Sequence, residues 1–207
     1  MSETSTQAFP VLEWGWAGAA LDGGESGDLH VIVPLPDGAL LAVIDGLGHG
    51  PEAAHAASEA ASILKAHAAL SVDELVARCH EALRKTRGAV MSLVALDARS
   101  AKIDWVGVGN VEGLLFHTDA LGRRTHEAIS TRGGVLGYRL PPLHVRTVPI
   151  YPRDVLVLAS DGIRAEFSAE IEPEWPPQAI ADWVLGRYGR ASDDALVLVA
   201  RYLGAPS

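Results

Sequence analysis

The amino-acid sequence predicts an α+β fold, with helices layered on antiparallel β-sheet. Three observations carry this expectation. The candidate elements come as strands, a helix pair, many strands, a helix and a strand, which is not the strict βαβα alternation of a parallel doubly wound sheet. The turn "PDG" joins "LHVIVPL" to "ALLAVID" with the Pro, Asp and Gly of a hairpin. The short turn "ARSA" joins two further strand candidates, "AVMSLVALD" and "KIDWVGVG".

Each element has a local reason. Alternation marks "VLEWGWAGAA" as the first strand, and "LDGGESGD" as the turn after it. Beyond Gly50, Pro51 suits a first helical position, and Ala53 to Ala69 reads as a helix poor in bulk, able to pack closely on a sheet. Ser71 with Glu74 forms a capping box that opens a second helix running to about Lys85. "EGLLFHT" continues after "GN", where Asn110 reads as part of a tight hairpin, and "LGRRTHEAI" and "PLHVRTVPI" add strand signals around a loop at Gly133 and Gly134. "DVLVLAS" is a short apolar run suited to a fully buried strand. "PPQAIADWVLGRYG" then reads as a third helix and "ALVLVARYL" as the final strand.

A chain of 207 residues is read as one domain over 1–207, with 1–10 a frayed polar start. With 48% hydrophobic and 21% charged residues the composition is globular. Apolar runs such as Val155 to Ala159 are too short to span a bilayer, and "MSETSTQAFP" lacks the basic and apolar regions of a signal peptide. No membrane partner and a cytoplasmic location are expected. A net charge of −9 and a pI near 5.3 argue against nucleic acid, whose phosphates demand clustered Lys and Arg. The single cysteine, Cys79, fits a reducing compartment and reads as inert packing on a helix face.

The informative pattern is where strands end. "LLAVIDG" finishes on Asp45 and "VLVLASDG" on Asp161, while Asp193 and Asp194 open "SDDALVLV" and Asp28 opens "SGDLHVIV". A lone Asp-Gly is the commonest turn dipeptide, as at Asp37. Acids at several strand ends are another matter: if the ends are adjacent, their carboxylates converge and repel one another unless protons or cations intervene. Hard oxygen ligands of this kind suit Mg²⁺ or Mn²⁺.

In this order, "SGD", "DGLGHG", "TRG", "GVGN", "SDGI" and "SDDALVLV" resemble the bacterial branch of the metal-dependent protein phosphatase 2C family, the group that includes the sporulation phosphatase SpoIIE and compact stressosome phosphatases. The resemblance covers nearly the whole chain. It implies a four-layer αββα sandwich, two antiparallel sheets each flanked by a helix pair. It also implies two Mn²⁺ or Mg²⁺ ions, with Asp45 bridging them and the Gly46 carbonyl ligating one. Asp161 and Asp193 would hold the other, and Asp28 would complete the pair. On this view Gly46 is glycine so that backbone can approach a cation. The implied substrate is a phosphorylated bacterial regulator, such as a STAS-domain stressosome or anti-anti-sigma protein, and the oligomeric state is left open.

Other residues admit two readings. His49 is a candidate to protonate the departing serine or threonine oxygen, or else it packs in the turn before the helix. Arg87 contacts substrate phosphate or serves the start of a strand. Asp194 orients Asp193 or caps its own turn. His55, His67 and His80 have no ligand spacing and read as surface or helix residues. A cysteine phosphatase would need Arg six positions after Cys79, where Lys85 stands, and there is no Walker loop. The rival from another class is a catalytically silent relative that binds a phosphoprotein or regulatory partner without turning it over.

Overall fold

The computed structural model describes residues 7–118, 123–128 and 131–205. One antiparallel sheet of six strands holds β1 (Gln7–Phe9), β2 (Leu12–Ala19), β7 (Glu112–Thr118), β8 (Arg124–Ala128), β10 (Val155–Ala159) and β11 (Ala195–Tyr202), in the order β1-β2-β11-β10-β7-β8. The second, of five, runs β3 (Asp28–Leu35), β4 (Gly38–Gly46), β5 (Ala89–Asp97), β6 (Lys102–Val108) and β9 (Arg146–Pro149). Helices α1 (Pro51–Ala66) and α2 (Val72–Ala82) cover the five-stranded sheet, and α3 (Pro177–Tyr188) covers the other.

The layering follows from strand periodicity with both faces buried. In β4, Leu41 and Val43 point between the sheets, while Leu40, Ala42 and Ile44 face α1 and α2. In β10, Leu156 and Leu158 point between the sheets, while Val155 and Val157 face α3. Hence these strands read as continuous apolar runs. The alanine-rich helix behaves as expected: Ala53, Ala56, Ala57, Ala60 and Ala61 are buried, so α1 lies close against β3 and β4. The capping box at Ser71 forms, and the second helix ends in a 3-10 turn at Leu83–Lys85.

The structure corrects three expectations. The flanking helices are not paired on both sides: among the described residues, α3 is the one α-helix on the six-stranded sheet, accompanied by a 3-10 segment at Ala165–Ala169. Residues 7–9 of the expected frayed start pair with β2, Phe9 opposite Leu12, because Leu12 and Val11 are anchored in the core; residues 1–6 lie outside the described set. Asn110 is not in a hairpin, because β6 and β7 belong to different sheets and the chain crosses between them at Gly109–Val111.

Trp105 locks the two sheets together. It is fully buried, its Nε1 donates to Ser92 Oγ at 3.0 Å, and its ring lies over the bare backbone of Gly113, where an added Cβ would fall 1.8 Å from the indole. Trp105→Ala should lower the unfolding free energy by ~3–5 kcal/mol in urea titrations, as large-to-small changes of buried aromatics do.

Candidate metal centre

The sandwich brings the acids to one end. In the β3–β4 hairpin, Asp28 stands directly opposite Asp45. In the other sheet β10 pairs antiparallel with β11, Ala159 opposite Val197, so Asp161 leaves one strand where Asp193 and Asp194 enter its neighbour. At this end the chain crosses between sheets through residues 20–27 and 109–111, and the connection from β8 to β9 crosses here as well. Asp45, Asp161 and Asp193 line a cleft of about 470 Å³, together with Leu47, Gly48, Asn110 and the Gly133–Gly134 loop.

Each acid is held differently. Asp28, only 7% exposed, accepts a hydrogen bond from Ser160 Oγ at 2.6 Å, a bond that ties one sheet to the other. Asp161 Oδ2 accepts from Asn110 Nδ2 at 2.6 Å. Asp193 Oδ1 accepts from the backbone N–H of Asp194 at 2.9 Å. The Asp45 carboxylate accepts no hydrogen bond among the described residues. Asp194 neither caps its own turn nor touches Asp193 through its carboxylate. Buried to 3% exposure, it accepts from the N–H groups of Leu21 and Gly27 at 2.7 Å each, clamping the loop that delivers Asp28. Ser160 and Asn110 are the residues that sequence reasoning missed as parts of the site. Adjacency to Asp161 was the available signal for Ser160, whereas Asn110 was disguised by its turn-like neighbours.

Gly46 has a packing reason to be glycine: a Cβ there would lie 2.1 Å from the Ala53 carbonyl oxygen, so α1 rests directly on the bare backbone. The same close approach recurs at Gly162, whose Cβ would fall 1.9 Å from the Asp194 carbonyl oxygen. His49 is exposed, does not line the cleft and makes no hydrogen bond among the described residues. Arg87 forms an ion pair with Glu52 beside the cleft. His55 and His67 lie on or at the end of α1, and His80 accepts from the Gly137 N–H at 3.1 Å.

The cleft carries uncompensated negative charge. Among the described residues, no Lys, Arg or His forms an ion pair with Asp28, Asp45, Asp161, Asp193 or Asp194. Burial first, then the neighbouring carboxylates, push the Asp45 pKa up to about 8. Burial likewise lifts Asp28 to about 7, opposed by the Ser160 hydrogen bond and reinforced by Asp194, Asp161 and Asp193. No three metal-ligating side chains among the described residues close on one point. Unpaired oxygens, some buried, with free lone pairs fit a hard divalent cation. A larger cavity of about 670 Å³ opens at the opposite end of β10, but there the buried acid, Asp154, is already bonded to His117 Nδ1 at 2.8 Å.

The sequence signature of the family Stage II sporulation protein E (SpoIIE) matches residues 36–203. The chain belongs to this family. A solved structure from work on the bacterial stressosome as "a modular system that has been adapted to control secondary messenger signaling" is 30% identical, with a TM-score of 0.82 over 92% of this chain and 99% of its own. RsbX in complex with magnesium shares the fold at a TM-score of 0.83 and 17% identity, covering 96% of this chain and 98% of that one. The phosphoserine phosphatase RsbX of Bacillus subtilis is 29% identical over 76 residues, 37% of this chain and 38% of the curated relative. The phosphatase 2C domain of SpoIIE from Bacillus subtilis, solved with a fragment of its regulatory domain, is also similar in fold, at a TM-score of 0.75 and 20% identity over 95% of this chain and 64% of that one. Among the described residues no helix is long and apolar enough to cross a membrane.

The raised carboxylates have a direct consequence for stability. Their folded-state values, about 7 and about 8, lie above the ordinary 3.8, so the unfolded chain releases these protons first as pH rises. Protein stripped with EDTA should therefore melt at progressively lower temperature as pH climbs from about 4 through about 8, and Asp45→Asn should flatten that slope. Thermal melts in EDTA across this range check it.

Proposed function

We propose that this chain is a cytoplasmic protein phosphatase that hydrolyses phosphoserine or phosphothreonine on a bacterial signalling regulator, with two Mn²⁺ or Mg²⁺ ions in the acid cleft. The observation that carries the reading is that Asp45, Asp161 and Asp193 from both sheets line one cleft, with Asp28 opposite Asp45, and among the described residues no cationic side chain is paired to them. Support comes from the relatives: RsbX of Bacillus subtilis is a phosphoserine phosphatase, RsbX has been seen in complex with magnesium, and the 30% identical chain comes from stressosome work. STAS-domain stressosome or anti-anti-sigma proteins are the substrate class to test first.

Asp45, the Gly46 carbonyl, Asp161, Asp193 and Asp28 would hold the ions. Such ions supply a water-derived nucleophile near neutral pH and draw charge from the phosphoryl oxygens. The chain's own residues do the rest. Asn110 and the Asp194 N–H fix the Asp161 and Asp193 carboxylates, and Ser160 fixes Asp28, so the oxygens are positioned before substrate arrives. Leu47, Val90 and Val135 form apolar walls that limit water around the phosphate. His49, next to Gly48 and free to turn in solvent, would give its proton to the departing serine oxygen.

The test is phosphate release from a phosphoserine protein with and without Mn²⁺. EDTA should abolish release, Asp45→Asn should lower it by ~100-fold or more, and Asn110→Ala should weaken metal affinity by ~10–100-fold. Release that persists in EDTA overturns the metal reading; absence of release from every phosphoprotein and from p-nitrophenyl phosphate leaves the silent binding relative.

The role of His49 has its own signature. His49→Gln should lower kcat for phosphoserine by ~100-fold, while p-nitrophenyl phosphate, whose leaving group needs no proton, should be nearly unaffected. Equal losses on both substrates would remove His49 from that role.

A further inference from the structure

Arg87 stands between the acid cleft and a competitor for its charge. Its Nε lies 2.5 Å from Glu52 Oε2. Its Nη1 lies 2.9 Å from the point where a Cβ on Gly48 would sit. Gly48 lines the cleft and has φ of +86°, a conformation that disfavours any other residue, so no side chain stands between the guanidinium and the cleft wall.

The backbone beneath Arg87 is fixed. Thr86 Oγ1 donates to the Leu83 carbonyl at 2.8 Å and accepts from the Gly88 N–H at 3.0 Å. The Leu47 N–H donates to the Gly88 carbonyl at 3.0 Å, joining this loop to the turn that follows Asp45. Only the head group is held loosely. The Arg87 and Glu52 side chains are 50% and 71% exposed, and an ion pair so open to water adds little to stability. It is also reachable, since Glu52, His55, Lys85 and Arg87 border a hollow of about 420 Å³.

The cleft needs such a charge. A phosphomonoester dianion entering it meets Asp45, Asp161 and Asp193. Arg84, Lys85 and Arg87 are three cations within four residues, in a chain of net charge −9; Arg84 is paired with Glu81, and Arg87 is the one that lies against Gly48 of the cleft wall. A guanidinium offers two parallel donors to a phosphoryl group, and the dianion outcompetes a monoanionic carboxylate for it.

Resting on the phosphatase reading above, we propose that the Glu52–Arg87 ion pair is a latch displaced by the substrate's phosphoryl group, with Arg87 the specificity-determining residue for phosphomonoester dianions and Glu52 its built-in competitor. The two residues then have opposite effects, which a merely structural ion pair would not give.

The experiment measures p-nitrophenyl phosphate turnover by the full chain in Mn²⁺, with inorganic phosphate as competitive inhibitor, and inorganic phosphate binding to the Mn²⁺-loaded protein by calorimetry. Glu52→Gln should lower KM and the phosphate inhibition constant ~2–5-fold, the scale of an exposed ion pair. Arg87→Ala should raise both ~10-fold or more, with kcat within ~2-fold, because a contact made equally in ground and transition states moves KM alone. Arg87→Lys should fall between, and the double variant should match Arg87→Ala. If Glu52→Gln weakens phosphate binding or leaves it unchanged, the latch is overturned. If the unaltered protein shows no Mn²⁺-dependent turnover, the phosphatase reading fails, and the calorimetric order of the variants still decides the latch.

Discussion

The burial of mutually repelling carboxylates at one end of the sandwich is the constraint around which this protein is arranged. Asp28 and Asp45 face each other across two hydrogen-bonded strands, and burial first, with the neighbouring carboxylates adding to it, pushes both far above the ordinary carboxylate range. A fold tolerates such an arrangement only where its surroundings hold it in place. Here those surroundings are the two sheets themselves, each contributing acids to the same end.

The restraints on these acids come mostly from residues that bear no charge. Ser160, on the six-stranded sheet's side, reaches Asp28 on the five-stranded sheet. Asn110 sits at one crossing between sheets and holds Asp161; Asp194 clamps another through Leu21 and Gly27. Further from the cleft, Trp105 resting on Gly113 fixes the separation of the sheets. Packing in the core and positioning at the rim are thus one system, because a shift between sheets would separate Ser160 from Asp28.

Much of the fold was legible in the sequence, since it rests on local chemistry. The "PDG" hairpin, the Ser71 capping box and the alanine face of α1 each form as their residues dictate. Readings failed where a distant partner decides the outcome. Asn110 has the local chemistry of a hairpin, yet its neighbouring strands enter different sheets. Gly46 offers no local sign that its missing Cβ makes room for the carbonyl of Ala53 on a packed helix. Residues 7–9 look like a polar tail and become an edge strand, because β2 offers them an unpaired ladder.

The sequence by itself determined the α+β class, the strand and helix order, and the placing of an acid at each of several strand ends, because periodicity, caps and turns are properties of neighbouring residues. It also carried the SpoIIE-family motifs. Only the tertiary structure decided that these ends meet at one cleft, that Asp194 is a clamp and Asn110 a brace, and that Arg87 lies against Gly48. Those facts depend on contacts between residues far apart in the chain, such as Asp28 with Ser160, which no local pattern encodes.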